Sequence, residues 1–363
     1  MYSKVLIIGG AGRIGQAIAQ DIRQQTQVHI TVTGRTSTLS PTCSRTTFQS
    51  LDLSNREAVS QAIQQHQLVI HCAGPFRDRD HHVLKTCIEH RIPYIDVADS
   101  PDYVEEALKL HELAVKNNTI AVLSTGVFPG ISCSMVRQGI EQLDEAEEVH
   151  LSYLVAGSGG AGVTVMRTTF TELKTPFGCM QGGQRQMIEP YSDREVLEFP
   201  VFGRGGVYWF NTVEALTLER SFPSLRTITT KFGSVPDFYN YLTWLVAKAP
   251  KPMIQSPRIV EFLSQVSYKM TQVSDRFSGV GISMRVRVIG QVNNQPSEYL
   301  STFYCDDTAA SAGQGTGMVA ELILDKGLTR AGVWPVEQAL STPLFLEAMN
   351  RRNLKIEIPS LAV

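Results

Sequence analysis

The 363-residue sequence has few cysteines, no long apolar run and no excess of charge of either sign, and each shortage excludes something. Its six cysteines, at 43, 72, 87, 133, 179 and 305, nowhere fall in C-x-x-C spacing. Neither a thiolate zinc site nor a disulfide framework is expected, and the thiols read as reduced and mostly buried. No stretch approaches the ~18–20 uncharged apolar residues of a membrane-spanning helix. Lys and Arg number 33 against 35 Asp and Glu, a formal charge of −2, so composition points away from nucleic acid. Internal repeats and low-complexity linkers are also missing. The first residues enter an apolar run almost at once, which leaves no room there for a cleavable leader, and a cytoplasmic protein is the expectation.

What the chain does have is 43% hydrophobic residues and enough length for about two or three domains with large cores. The run Lys4–Ile8 leads through glycines into a helical pattern with Ile14, Ile18 and Ile22 on one face. Gly10, Gly12 and Gly15 fill the G-x-G-x-x-G template in the context that motif requires, strand before and helix after. Gly10 is expected to make the tight turn, Gly12 to admit a pyrophosphate, and Gly15 to let the helix pack close. The backbone at Arg13, Ile14 and Gly15 then opens the helix, where free amides and the helix dipole favour an anion.

Further along, Val28–Thr33 reads as a second strand ending at Gly34-Arg35-Thr36. An acid at that place would hold the ribose hydroxyls of NAD; Arg35 beside Thr36 favours the extra phosphate of NADP, with NAD the alternative. Asp52-Leu53 ends a third strand, with Asp52 either accepting from adenine or capping the helix near Ser54-Asn55. A fourth strand, Leu68–His71, runs into Ala73-Gly74, a small-residue turn that lets a cofactor lie against backbone. Pro93–Asp99 and Thr119–Thr125 read as strands five and six, with helices over 80–90 and 104–117. Strands alternating with helices predict a doubly wound parallel sheet, an α/β Rossmann domain, over residues 1–130.

The pattern then changes. Glu148–Val155, Met284–Ile289 and Glu298–Cys305 alternate with period two, the last two joined across Asn293-Asn294. They predict a second α+β domain over 131–305 on an open, largely antiparallel sheet. Gly157–Gly162 reads as a connecting loop, since a phosphate cradle would need a buried strand before it and a Lys-Ser/Thr ending. The helical stretches within 306–363 are expected to return to the first domain.

Taken together, these residues resemble the saccharopine dehydrogenase-like oxidoreductases. The carrying features are Gly10-Ala-Gly12-Arg-Ile-Gly15, Ala73-Gly74-Pro75-Phe76, Tyr94-Ile-Asp96, Gly126-Val-Phe-Pro129-Gly130-Ile-Ser132 and Gly332-Val-Trp-Pro-Val-Glu337. The resemblance implies a small-molecule substrate, hydride transfer with NADP(H) and a homodimer formed through the middle sheet. A C=N or C–N bond of an amino-acid-like compound is the favoured reacting centre, with C=C reduction or a non-enzymatic NADP-binding sensor as alternatives. Phe128 and Ser132 stand where saccharopine reductases resemble one another in two carboxylates, which disfavours saccharopine itself.

Short-chain dehydrogenases share the glycine turn, but their chemistry needs a tyrosine four residues before a lysine, and no tyrosine here has one. Catalytic candidates therefore reduce to Asp96 and Asp99 at the end of the fifth strand, as proton relay or substrate-orienting groups. Helix capping by Asp99 and backbone bonding by Asp96 are the bland alternatives. His81-His82 are adjacent on a helix and cannot chelate one metal as an i, i+4 pair would, and His111 reads as a satisfied histidine. No metal site is expected. Arg285 and Arg287 share one strand face, either as an anion clamp or, more in keeping with arginine generally, facing solvent.

Overall fold

The computed structural model describes residues 3–35, 45–157, 163–250 and 256–359; Thr36, Cys43 and most of the glycine loop Gly157–Gly162 lie outside them. The chain divides into two compact units, Met1–Ser134 with Ala309–Asn353, and Met135–Thr308 with Leu354–Val363.

The first unit is built on β1 (Lys4–Ile8), β2 (His29–Gly34), β3 (Thr46–Ser50), β4 (Leu68–His71), β5 (Tyr94–Asp96) and β6 (Ile120–Leu123). A further strand near the C-terminus, Gly332–Pro335, completes a seven-stranded sheet at its edge beside β6. From that edge inward the order is β6, β5, β4, β1, β2, β3, and every pairing is parallel. Val5 to Ile8 and Leu68 to Ile70 are essentially inaccessible, as a parallel sheet covered on both faces demands. Each such side chain contributes roughly 1.5–3 kcal/mol over its exposed state.

The predicted long helix over 104–117 is two helices, Pro101–Leu108 and His111–Lys116. His111 rests edge-on against Trp334, with Nδ1 3.1 Å from the Val333 carbonyl. Helix Thr308–Leu324 lies along helix Arg13–Gln25 at small residues: a Cβ on Gly313 would stand 2.5 Å from the Ala17 backbone. The return of this segment to the first unit thus depends on close backbone approach.

The second unit holds β7 (Glu145–Ala156), the hairpin β8 (Phe177–Gln181) and β9 (Gln184–Ile188), β10 (Glu195–Phe199), β11 (Gly203–Trp209), β12 (Thr227–Val235), β13 (Gly281–Val292), β14 (Gln295–Cys305) and a short strand, Ile356–Glu357. The main sheet runs β10-β11-β12-β7-β13-β14, closed by Ile356–Glu357 on β14. It is largely antiparallel, as the alternation predicts, with one parallel pair at its centre, where β12 runs beside β7 over nine residues. Parallel neighbours need a crossover, and residues 157–226 supply it. The β13–β14 hairpin pairs Val292 with Gln295 around Asn293 and Asn294, whose φ of +52° and +60° is the left-handed turn that asparagine tolerates. Among the described residues no helix is long and apolar enough to cross a membrane.

Candidate cofactor site

Because every strand of the first unit runs the same way, their carboxyl ends share one edge. The loops after β1, β2, β4, β5 and β6 all emerge there, and β1 lies between β2 and β4, where the order of strands reverses. Ligands of open parallel sheets bind outside that reversal point.

The loop after β1 is bare backbone for steric reasons. Gly10 closes the tight turn, its amide donating to the Ile7 carbonyl at 3.1 Å, while the positive φ, +83°, belongs to Gly9 before it. Gly10 is required by crowding instead: a Cβ there would lie 2.7 Å from the Val32 Cβ and 2.8 Å from the Ile7 carbonyl. Gly15 admits no Cβ either, since it would stand 2.5 Å from the Gly10 Cα and from the Gly9 carbonyl. Gly12 differs. Its Cβ would meet only the Gly9 carbonyl, at 3.2 Å, and would otherwise project into open space. Gly12 is also the N-cap of helix Arg13–Gln25, which has no side-chain cap and no acid in its first turn. Arg13 and Ile14 are exposed there. The result is a helix N-terminus facing a groove that only glycine keeps open, a cradle suited to a pyrophosphate.

On the far side of β1, Arg35 follows β2 and is exposed. Asp52 is exposed as well, and its Oδ1 accepts from the Ser54 amide at 3.0 Å, which with Arg35 nearby holds its carboxyl below the usual range. Asp52 closes a turn; the helix cap is Asn55, whose side chain accepts from the Ala58 amide. Leu53 is half-buried beside it.

After β4, the turn Ala73-Gly74 is clamped by a residue that the motif reading passes over. Arg79 Nε donates to the Ala73 carbonyl at 2.8 Å and Nη2 to the Gly74 carbonyl at 3.1 Å. Its sequence signal is only proximity, six residues downstream. The two loops are interlocked, since a Cβ on Gly9 would lie 2.7 Å from the Ala73 nitrogen.

Asp96 and Asp99 have opposite surroundings. Asp96 is fully buried; its Oδ1 accepts from the Ala98 amide at 3.1 Å and the Ser124 amide at 2.8 Å, and its Oδ2 from the Tyr94 hydroxyl at 3.1 Å. Burial pushes its pKa up to about 6 against the lowering effect of those donors. The carboxylate thereby ties the end of β5 to the end of β6. Tyr94 spends its proton on Asp96, so the contact at 3.2 Å with His71 Nδ1 has the imidazole N–H donating to the phenol oxygen. Burial, reinforced by the Arg79 charge, pushes His71 down to about 3, and it is neutral. Tyr103 extends the cluster with its hydroxyl 3.3 Å from that of Tyr94. Asp99 is exposed, and the N-cap of the next helix is Ser100. Beyond β6, Gly130 at φ +137° has no room for a side chain, since a Cβ there would stand 2.1 Å from the Gly126 carbonyl, and Ser132 is buried.

Residues 5–122 match the family described as the saccharopine dehydrogenase NADP binding domain. The saccharopine dehydrogenase-like oxidoreductase of Mus musculus is 28% identical over 129 residues, 35% of this chain and 30% of that relative. The protein of the same name in Homo sapiens is 27% identical over the same shares. The chain thus matches about a third of the length of these relatives. Saccharopine dehydrogenase (L-Glu forming) from Saccharomyces cerevisiae superposes over 99% of this chain and 100% of its own with a TM-score of 0.69 at 11% identity, a likeness of fold. An engineered D-amino acid dehydrogenase bound to NADP+ covers 98% and 100% with a TM-score of 0.50 at 13% identity. Over residues 5–122, within its first unit, the chain is thus similar to the NADP-binding domain of the saccharopine dehydrogenase family.

Proposed function

We propose that the protein transfers a hydride between NADP(H) and a small substrate, with a C=N or C–N bond of an amino-acid-like compound as the reacting centre. The observation that carries this reading is the bare cradle Gly9–Gly15 beside β4, with exposed Arg35 following β2. The amides of Arg13, Ile14 and Gly15 would hold the pyrophosphate, with Gly10 and Gly12 giving the room. Arg35 and Thr36 would take the 2′-phosphate, Asp52 and Leu53 the adenine, and Ala73-Gly74 the far half of the cofactor along their backbone. Bound NADP(H) supplies the hydride donor or acceptor.

The chain's own groups position and move the proton. Asp96 is a positioning residue, since each of its acceptors is committed to β5, β6 and Tyr94. Asp99 is exposed on the same edge, where it would orient the substrate or relay the proton that accompanies the hydride. Names of the matched relatives support an oxidoreductase, and Phe128 and Ser132 weigh against saccharopine as substrate. A screen of imines, keto acids and enoyl compounds with NADPH, read at the nicotinamide absorbance, tests the proposal. Imine-dependent turnover supports it and turnover of enoyl compounds alone moves the reacting bond to C=C. Tight NADPH binding with no turnover of any class contradicts it in favour of a sensor. Once a substrate is found, Asp99→Asn should slow single-turnover hydride transfer.

A further inference from the structure

The second unit holds a cavity of about 260 Å³ lined by its own strands. Alternating positions bring His150 and Ser152 of β7, Thr229 and Lys231 of β12, and Arg285 and Arg287 of β13 onto one face of the sheet. The register makes them neighbours: Ser152 lies opposite both Lys231 and Arg285, and His150 opposite both Thr229 and Arg287. The two arginines therefore line a pocket rather than facing open solvent.

Two of its three long cations are already paired. Lys231, whose side chain is 5% exposed, donates to the Asp193 carboxylate at 2.8 Å and to Glu195 at 3.2 Å. Its ammonium also stands 5.7 Å from the Trp209 ring. Arg287 Nη2 donates to Glu298 at 2.5 Å, and that bond holds the Glu298 carboxyl below its usual range. Arg285 is half-buried and makes no hydrogen bond or ion pair with any described residue. Burial and then the like charge of Arg287 lower its pKa, opposed by Glu298 and Glu195. The Ser152 hydroxyl beside it likewise has no partner among the described residues.

A half-buried guanidinium with its donors unspent, next to an unspent hydroxyl, is complementary to a planar oxyanion. Lys231 with its two carboxylates carries one net negative charge, Arg287 with Glu298 none and Arg285 one positive, so the lining is neutral overall and takes a singly charged carboxylate at Arg285 more readily than a phosphate dianion. The volume falls just below the ~300 Å³ at which pockets for drug-sized ligands begin, so the occupant is small. We propose that this cavity binds a small organic carboxylate, with Arg285 and Ser152 holding the carboxylate and the carbon skeleton lying against Trp209 and Leu197. The site belongs wholly to the second unit, so this inference does not rest on the redox reading.

Titration calorimetry on the full chain without NADP, using acetate, pyruvate and glutarate as probes and inorganic phosphate for comparison, tests it. Saturable binding of at least one carboxylate, weaker for phosphate, is expected. Arg285→Met should weaken that binding at least about tenfold and leave the thermal midpoint unchanged or raised, because the repulsion with Arg287 is relieved. Exposed Arg204→Met should bind as the wild type does. Should Arg285→Met fail to fold, Ser152→Ala removes only a hydroxyl and should weaken binding about two- to tenfold. No saturable binding of any carboxylate, wild-type affinity in Arg285→Met and Ser152→Ala, or phosphate bound as tightly would each overturn the assignment.

Discussion

Asp21 and Arg352, 331 positions apart, form a buried two-pronged ion pair: Nε donates to Oδ1 at 3.0 Å and Nη2 to Oδ2 at 2.8 Å. Arg352 Nη1 lies 3.0 Å from Glu321 on the helix between them. Gly317 of that helix leaves the carboxylate its space, since a Cβ there would stand 1.9 Å from Oδ2. Burial raises the Asp21 pKa, and the Arg352 bond and charge oppose that rise. The pair fastens the end of the first unit to its first helix.

Truncating one partner leaves the other charge buried and alone, which typically costs about 3–5 kcal/mol. Arg352→Met should lose stability of that order in urea unfolding. A loss below about 1 kcal/mol would show that water enters and solvates Asp21.

The glycines of the cradle should separate folding from binding. Gly12→Val places its side chain in the open groove, so NADP(H) binding should vanish while circular dichroism and the thermal midpoint stay near wild type. Gly15→Val meets backbone 2.5 Å away and should destabilise the fold itself. Wild-type cofactor affinity in folded Gly12→Val would remove the cradle from the account.

A pH signature belongs to Asp96. Its folded pKa, about 6, lies above the ordinary 3.8, so the folded state binds the proton more readily. Stability from this group is fully present below about 3.8 and lost as pH rises through about 6. At ~1.4 kcal/mol per pH unit the loss is roughly 3 kcal/mol. Asp96→Asn cannot titrate, so wild-type stability minus variant stability should fall by most of that amount, about 2 kcal/mol, between pH 4 and pH 7. A difference that is flat or rises with pH would contradict the burial argument.

Much of the first unit was legible because its pattern reports directly on burial: uninterrupted apolar strands, helical faces and glycines in a fixed template. The break at Lys109-Leu110 was not, since the apolar face of 104–117 continues through it. Nor was the left-handed residue of the cradle, because Gly9 and Gly10 are identical neighbours with different reasons to be glycine. In the second unit, alternation marked β7, β13 and β14 and told nothing of direction, so the parallel β7–β12 pair was hidden. The same alternation put Arg285 and Arg287 on one face and could not say that the face lines a cavity. Arg79 and Tyr103 act through contacts that no local motif encodes.

Homodimerisation, which the resemblance implies, is checked by light scattering. Of the main sheet's edges, β10 carries Glu195 and Glu198, whereas Ile356–Glu357 pairs only Thr302 and Phe303 of the eleven-residue β14 and leaves the rest of that edge open to a partner strand. The larger apolar surface is on helices Phe238–Ala247 and Pro257–Ser278, which expose Phe238 at 57%, Leu245 at 61% and Phe262 at 66%. A dimer should dissociate on Phe238→Glu with Leu245→Glu. A wild-type particle of 40.1 kDa at micromolar concentration would rule the dimer out.

The central claim is that the first unit binds NADP(H) in its glycine cradle with Arg35 reading the 2′-phosphate. Calorimetric titration of the wild type and of Arg35→Ala with NADPH and NADH tests it most directly. The account predicts NADPH bound at least about tenfold more tightly by the wild type, one charge-assisted contact's worth. It also predicts that Arg35→Ala abolishes this preference by weakening NADPH alone. Equal affinities in the wild type, NADH preferred, or an unchanged preference in Arg35→Ala would contradict it.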